Sequence, residues 1–142
     1  MVYLITGKKG AGKTTYAKRL VEEFRLEGHS AKWLDGDVFR KETGNDDYTS
    51  RGRWNNLLQA ASAAQRYERE GNMVVLSFIM PLRSWRNQMR CYFEHSHIVY
   101  IPGGTLWKGT EYETPNVEEL AGVIWGRKLI VDGLTTEVIT HE

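Results

Sequence analysis

The residues best suited to chemistry form one continuous run near the start of the sequence, Gly7-Lys8-Lys9-Gly10-Ala11-Gly12-Lys13-Thr14-Thr15. The pattern G-x-x-x-x-G-K-T follows a short apolar run and opens a segment with helical periodicity. Glycines let such a loop curl tightly, so that backbone N–H groups converge on a polyphosphate, and the following helix adds its positive dipole end. Lys13 is then predicted to reach the β- and γ-phosphates, and Thr14 to bind Mg²⁺. A glycine-rich turn without a ligand is the alternative, but the flanking strand and helix favour a nucleotide-phosphate loop.

Two carboxylates follow the next apolar run, in Asp35-Gly36-Asp37. An Asp-Gly turn is the simplest interpretation of these residues. Beside a phosphate loop, however, a carboxylate can hold Mg²⁺ or its waters, or accept a proton from an attacking hydroxyl. Phosphoryl transfer depends mainly on positioning and charge neutralisation. We therefore predict catalytic roles for Lys13, Asp37 and Asp35, with Thr14 and Asp35 at the metal.

Arginines are the second set of candidates, because a guanidinium grips phosphate or sulfate oxygens at two points. The candidates are Arg40, Arg53, Arg83, Arg86 and Arg90. Arg83 follows a predicted central strand directly, and we predict a catalytic role for it. Arg83, Arg86 and Arg90 also have the spacing of a solvated helix face, which is the favoured interpretation for Arg90.

Two aromatic residues are candidates for stacking on a base. Tyr48 lies in a polar stretch and is the better candidate. Trp54 falls on an apolar stripe at helical spacing and is predicted to be part of the core.

Alternating strands and helices predict an α/β fold: a three-layer P-loop NTPase fold with a mainly parallel sheet and flanking helices, as a single domain over residues 1–142. The periodicity predicts strands at Val2 to Thr6, Ala31 to Leu34, Met73 to Ile79 and His97 to Ile101; helices from about Lys13 to Glu27, from Trp54 to about Glu68, after Pro81 and from Asn116; a loop with one short helix from Lys41 to Gly52; and a hairpin of Lys128 to Val131 with Leu134 to Ile139. Ligands of such sheets lie beyond the carboxyl ends of the strands. Gly7–Thr14, Asp35–Arg40 and Ser77–Arg86 all follow strands, so one shared site is expected.

Composition is that of an ordinary globular protein, with 41% hydrophobic and 26% charged residues. The net charge of +1 gives no general case for binding nucleic acid or a membrane surface. No stretch approaches the ~20 apolar residues of a membrane span. Cys91 has no cysteine partner, which suits a reducing compartment, and a cytoplasmic location is expected.

Four segments together resemble the adenylylsulfate kinase family, whose members use ATP to phosphorylate the 3′-hydroxyl of adenosine 5′-phosphosulfate (APS). They are the glycine loop; Leu34-Asp35-Gly36-Asp37 with Arg40, similar to L-D-G-D-x-x-R; residues Tyr48 to Asn56, similar to F-S-x-x-D-R-x-E-N; and Ser77 to Arg83, similar to S-F-I-S-P-Y-R. A fifth segment, Tyr112-Glu113-Thr114-Pro115, resembles Y-E-x-P. The P-loop alone is shared by a very large superfamily, whereas the second and fourth segments are far more specific.

The resemblance implies roles at the matching positions. Arg53 and Asn56 would bind the phosphosulfate and ribose of APS, with Arg40 beside them. Tyr48 would stack on the adenine, and Ile79 would contact the substrate through its backbone. Asp37 would lie near the transferred phosphoryl group and Asp35 would support it, while the P-loop serves ATP and Mg²⁺. The implied partner is a small-molecule nucleotide, with no membrane, and a homodimer is compatible with the sequence.

The sequence departs from the family at two places. The acidic residue of D-R is replaced by Gly52, and the lid that precedes Y-E-x-P is reduced to residues 103–111. A short lid is compatible with a slow kinase, a kinase for a larger acceptor or a degraded member of the family. Alternatives to an APS kinase are therefore a kinase for another nucleotide, a nucleoside or a polynucleotide 5′-hydroxyl, or a nucleotide-binding module without transfer activity. A regulatory GTPase is disfavoured, because no N-K-x-D signature follows the loop.

Overall fold

The computed structural model describes residues 1–106, 110–116, 128–131 and 134–137, the last two ranges as backbone only. Four parallel strands form one sheet in the order β2-β3-β1-β4. The elements are β1 (Val2–Thr6), α1 (Lys13–Leu26), β2 (Ala31–Asp35), α2 (Gly36–Thr43), α3 (Ser50–Arg69), β3 (Met73–Ser77), α4 (Arg83–Arg90), β4 (Ser96–Tyr100), β5 (Lys128–Val131) and β6 (Leu134–Glu137). The predicted parallel α/β sheet is confirmed.

Successive side chains of the strands point to opposite faces of the sheet, so each face carries its own apolar core. Leu4, Leu76 and Ile98 lie in one core, together with the buried stripe of α3. Their chain neighbours Ile5 and Val75 lie in the other core, which α1 covers with the residues predicted from its spacing, Ala17, Leu20, Val21 and Phe24. Helices thus cover both faces of the sheet, and the three-layer architecture is confirmed.

The largest difference from prediction is α2, which begins at Gly36, directly after β2. An Asp-Gly pair is typical of a turn, but here Asp35 caps a helix, because its carboxylate accepts the Val38 N–H. The polar stretch after Thr43 is a short loop that ends where Thr49 caps α3, earlier than the apolar stripe indicates.

The predicted hairpin is confirmed as an antiparallel pair of β5 with β6. The predicted helix from Asn116 extends into residues outside the described ranges.

Candidate active site

The glycine loop has the backbone shape that its sequence predicts. Gly10 and Gly12 have φ of 74° and 106°, in the left-handed region that only glycine adopts without strain. At Gly7 a Cβ would lie 2.6 Å from the Ile101 carbonyl oxygen, so this position has no room for a side chain. Helix α1 begins at Lys13, and its N-terminus therefore faces the loop.

The Lys13 ammonium group folds back over this loop and donates a hydrogen bond of 2.8 Å to the Lys8 carbonyl oxygen. Burial lowers the pKa of Lys13 to about 8, although the charges of Asp35 and Asp37 act in the opposite direction. The amine is therefore held among groups that do not fully compensate its charge. An incoming anion would supply that compensation.

Asp35 joins the glycine loop to the sheet. Its Oδ1 accepts hydrogen bonds from the Thr14 hydroxyl at 3.0 Å and from the Ser77 hydroxyl at 2.8 Å, and Ser77 in turn accepts one from the Trp33 indole N–H at 2.8 Å. Asp35 and Ser77 are register partners at the ends of β2 and β3. A hydroxyl and a carboxylate this close are hard oxygen ligands, and the pair fits Mg²⁺.

The role of Ser77 as the support of Asp35 was not predicted from the sequence. Its place in the S-F-I segment was the available signal, and the pairing of β2 with β3 brings it to Asp35.

Two guanidinium groups, those of Arg40 and Arg53, line the same cavity as the glycine loop. Arg40 is buried, and its Nη1 donates to the carbonyl oxygens of Asn45 and Asp47 at 3.2 and 2.9 Å. Burial and the charge of Arg40 lower the pKa of Arg53. Within the described residues neither arginine forms an ion pair with a carboxylate. Two like charges with no carboxylate within ion-pair distance favour an anionic ligand close to both.

Tyr48 extends this cationic region. The Arg40 guanidinium lies 4.3 Å from the centre of the Tyr48 ring, a cation–π contact that holds the ring. The Tyr48 side chain remains 54% exposed, so much of the ring is available to a planar group. Trp54, by contrast, packs against the core and against Trp85, as its spacing predicts.

Asn56 is only 3% exposed, yet its Oδ1 has no hydrogen-bond partner within the described residues. Its amide nitrogen donates weakly to the Gly36 carbonyl oxygen at 3.4 Å. A buried acceptor without a donor costs about 1–3 kcal/mol. Because Asn56 lines the cavity described below, a ligand hydroxyl or N–H is the natural donor.

Most of these groups line one cavity of about 540 Å³ at the carboxyl ends of the strands. Its lining includes Lys8, Lys9, Gly10, Gly12, Lys13, Thr14, Thr15, Asp35, Asp37, Arg40, Tyr48, Arg53, Asn56 and Ile79. The structure thus brings together most of the predicted site residues. Gly7 and Ala11 belong to the loop but do not line the cavity, because both are buried.

Arg83 is the predicted site residue that the structure places elsewhere. It is absent from the described lining of the cavity, and its guanidinium forms an ion pair with Glu113 at 3.1 Å. Both side chains are about two-fifths exposed, so the pair contributes only about 0–1 kcal/mol to stability. The geometry offers no support for a catalytic role of Arg83, which stays a prediction.

The segment 103–106 and residues 110–111 belong to the stretch where the sequence indicates a missing lid. Thr105 N–H donates to the Lys9 carbonyl oxygen at 2.8 Å, which ties the segment to the glycine loop. Thr105, Leu106, Thr110 and Glu111 all line the cavity. None of the four was predicted from the sequence, because a polar loop with several glycines carries no signal of where it lies.

Within the described residues no helix has the length and apolar character that a membrane crossing requires. The same part of the chain contains no cluster of three or more His, Cys, Asp or Glu residues that could hold a metal ion.

Comparison with known proteins agrees with this geometry. The adenylylsulphate kinase family model matches residues 1–103. A probable adenylyl-sulfate kinase of Archaeoglobus fulgidus is 36% identical over 100 residues, covering 70% of this chain and 64% of the relative. A cytidine diphosphoramidate kinase of Campylobacter jejuni is 32% identical over 94 residues, covering 63% of this chain and 55% of that protein.

A solved structure gives the same result. The Mycobacterium tuberculosis APS kinase in complex with AMPPNP and APS superposes with a TM-score of 0.66 at 25% identity, covering 70% of this chain and 61% of that one. The first three curated relatives are matched over between 44% and 64% of their own length. The Y-E-x-P segment lies beyond the residues that the family model matches. On the match over residues 1–103 and the relatives that share it, this chain belongs to the adenylylsulphate kinase family.

Proposed function

We propose that this protein is a kinase that transfers the γ-phosphoryl group of ATP to the 3′-hydroxyl of adenosine 5′-phosphosulfate. One observation carries the proposal: a phosphate loop and a cationic, aromatic group of side chains line the same cavity. Neither half alone would distinguish a kinase from a nucleotide-binding module. The family membership and the relatives named as adenylyl-sulfate kinases support the same acceptor.

On the donor side, the glycine loop and Lys13 would hold the β- and γ-phosphates of ATP. Thr14 and Asp35 would hold Mg²⁺, which neutralises phosphate charge when bound. Lys13, whose ammonium group donates to the Lys8 carbonyl oxygen in the free protein, would exchange that hydrogen bond for one to a phosphate oxygen. Because that charge is only partly compensated in the free protein, the exchange favours ATP.

On the acceptor side, Arg40 and Arg53 would bind the phosphosulfate, whose oxygens suit two guanidinium groups. Tyr48 would stack on the base, and Asn56 Oδ1 would accept a hydrogen bond from the acceptor. Asp37 lies in the first turn of α2 and lines the cavity, so we assign it the proton of the attacking hydroxyl. Holding the acceptor hydroxyl in line with the γ-phosphate accounts for much of the catalysis in such reactions.

A second candidate acceptor is a cytidine nucleotide that carries a diphosphoramidate group. The Campylobacter jejuni relative, named for that activity, supports it. Both candidates present a base, a ribose and two linked acidic groups, which are the features that Tyr48, Asn56 and the two arginines would bind. The replacement by Gly52 of the acidic residue before Arg53 is compatible with either acceptor.

The test is a transfer assay with labelled ATP and Mg²⁺ and four separate acceptors: APS, cytidine diphosphoramidate, a pool of nucleoside monophosphates and a 5′-hydroxyl oligonucleotide. We expect label on APS, and none with Lys13→Ala, which controls for contaminating kinases. Label on the cytidine compound alone would establish the second candidate. Label on the oligonucleotide but not on APS would refute the proposed acceptor, and bound ATP without any transfer would indicate a binding module.

A further inference from the structure

Arg86 is a fully buried charged residue that neither the sequence pattern nor the cavity lining accounts for. Its side chain is 0% exposed, although it lies on α4 at a spacing that also fits a solvated face. The interpretation of Arg86 as part of such a face is therefore wrong. Burial of a guanidinium is costly unless its N–H groups are well bonded. The residues that bond it indicate what it does.

The guanidinium binds two backbone carbonyl groups from separate parts of the chain. Arg86 Nη1 donates to the Met80 carbonyl oxygen and Nη2 donates to the Glu113 carbonyl oxygen, each at 2.7 Å. Distances this short are typical of charge-assisted hydrogen bonds. Met80 follows β3, whereas Glu113 belongs to the segment 110–116, of which Thr110 and Glu111 line the cavity. One side chain thus fastens this segment to the loop that follows β3.

The two segments are also bonded directly to each other. Glu113 N–H donates to the Pro81 carbonyl oxygen at 2.7 Å. The Tyr112 hydroxyl lies 2.9 Å from the Thr6 hydroxyl, which itself donates to the Ile79 carbonyl oxygen at 2.5 Å. Each of the three backbone carbonyl groups from Ile79 to Pro81 therefore accepts a hydrogen bond from another part of the chain.

The held loop has a backbone conformation that would not persist unsupported. Met80 has φ of 46°, and it is the one residue other than glycine with a positive φ in the described part of the chain. A bulky side chain adopts this region only when its surroundings enforce it. Ile79, Met80 and Pro81 all line the cavity. The strain therefore lies in the loop that faces the acceptor.

We infer that Arg86 is a positioning residue for the phosphoryl acceptor: it holds the strained Ile79–Pro81 loop against the acceptor by donating hydrogen bonds to both the Met80 and the Glu113 carbonyl oxygens. Arg86 itself does not line the cavity, so it acts through the loop. The inference rests on the proposed function for its kinetic consequence. Its structural consequence does not depend on that function: the loop loosens when the two hydrogen bonds from Arg86 to the Met80 and Glu113 carbonyl oxygens are lost.

The test is Arg86→Lys, because one ammonium group cannot bridge both carbonyl groups in the geometry of a guanidinium. We expect the KM for the acceptor to rise about tenfold, as for the loss of one charge-assisted hydrogen bond. The KM for ATP should stay within about twofold, since the glycine loop makes none of these bonds. Arg90→Lys, the same change on the same helix, is the matched control and should change neither KM.

Hydrogen exchange supplies a readout that does not depend on activity. In Arg86→Lys the amides of Phe78 and Glu113 should exchange faster, while that of Tyr16 in α1 should keep its rate. If the proposed acceptor is not a substrate, this pattern still tests the positioning of the loop. Uniformly faster exchange with parallel rises in both KM values would show a merely structural role and overturn the inference.

If Arg86→Lys does not fold, Tyr112→Phe carries the test. This variant removes only the hydroxyl that contacts Thr6 and keeps the ring 5.4 Å from the Arg86 guanidinium. We expect a smaller change in the same direction, a rise in the KM for the acceptor with faster exchange at Phe78. Faster exchange at Phe78 with an unchanged KM for the acceptor would show that loosening this loop leaves acceptor binding intact, and would also overturn the inference.

Discussion

The lowered pKa of Lys13 predicts that ATP binding weakens as the pH rises through about 8. Burial disfavours the charged form of the amine in the free protein, whereas the phosphates of ATP favour it. Binding therefore raises the pKa again, and the affinity is complete below the free-state pKa and declines above it. An affinity that falls as the pH rises is the behaviour of a ligand that binds the protonated form of Lys13.

The magnitude follows from the fraction of protein that carries the charge. With a pKa of about 8, roughly 90% of Lys13 is protonated at pH 7 and roughly 10% at pH 9. If ATP binds only the protonated form, the Kd increases about tenfold between these values, which corresponds to about 1.4 kcal/mol. A lysine with its ordinary pKa would give almost no change over this range.

Equilibrium dialysis with labelled ATP, at constant Mg²⁺ and ionic strength, measures this dependence. Lys13→Arg is the control, because a guanidinium stays protonated throughout the range and should give a flat profile. Any effect of the ionisation of ATP itself is common to both proteins. An affinity of the unaltered protein that is flat between pH 7 and 9, or an equal slope in Lys13→Arg, would refute the reasoning.

Three substitutions test the acceptor side. Asp37→Ala should lower kcat at least about 100-fold while the Kd for ATP changes little, and an equal loss of both would contradict its place at the reacting centre. Gly52→Ala ordinarily favours a helix by about 1 kcal/mol, but here the new Cβ would collide with Asp47. We expect a raised acceptor KM, whereas Gly28→Ala, which strains a left-handed turn away from the cavity, should lower only the melting temperature. Asn56→Leu should weaken acceptor binding without lowering the melting temperature, because the oxygen it removes is unpaired; a large loss of stability would show that Asn56 serves the core.

Much of the fold follows from local patterns. The parallel strands are short apolar runs, and α1 buries the four residues that its spacing predicts. The glycine loop is also local, since its backbone angles depend on Gly10 and Gly12 themselves. Helix α2 was missed because its capping residue, Asp35, precedes a glycine that is more typical of a turn.

The contacts at Gly52 show why part of the site was not predictable. The sequence shows that a family carboxylate is replaced at this position. Only the structure shows that the Asp47 backbone and side chain occupy the space where a Cβ would stand. The same Asp47 carbonyl oxygen binds Arg40, so a residue outside the family motif helps to place one inside it.

The sequence by itself determined the phosphate loop, the parallel α/β sheet and the residues that gather at its edge, because each depends on neighbours in the chain. Only the tertiary structure decided where the arginines after β3 lie, because their spacing is the same whether they face solvent, the site or the core. Arg83 pairs with Glu113 away from the cavity, and Arg86 is buried between two carbonyl groups. Spacing places a side chain on one face of a helix. What that face meets depends on distant parts of the chain, here residue 113, which is 27 positions beyond Arg86.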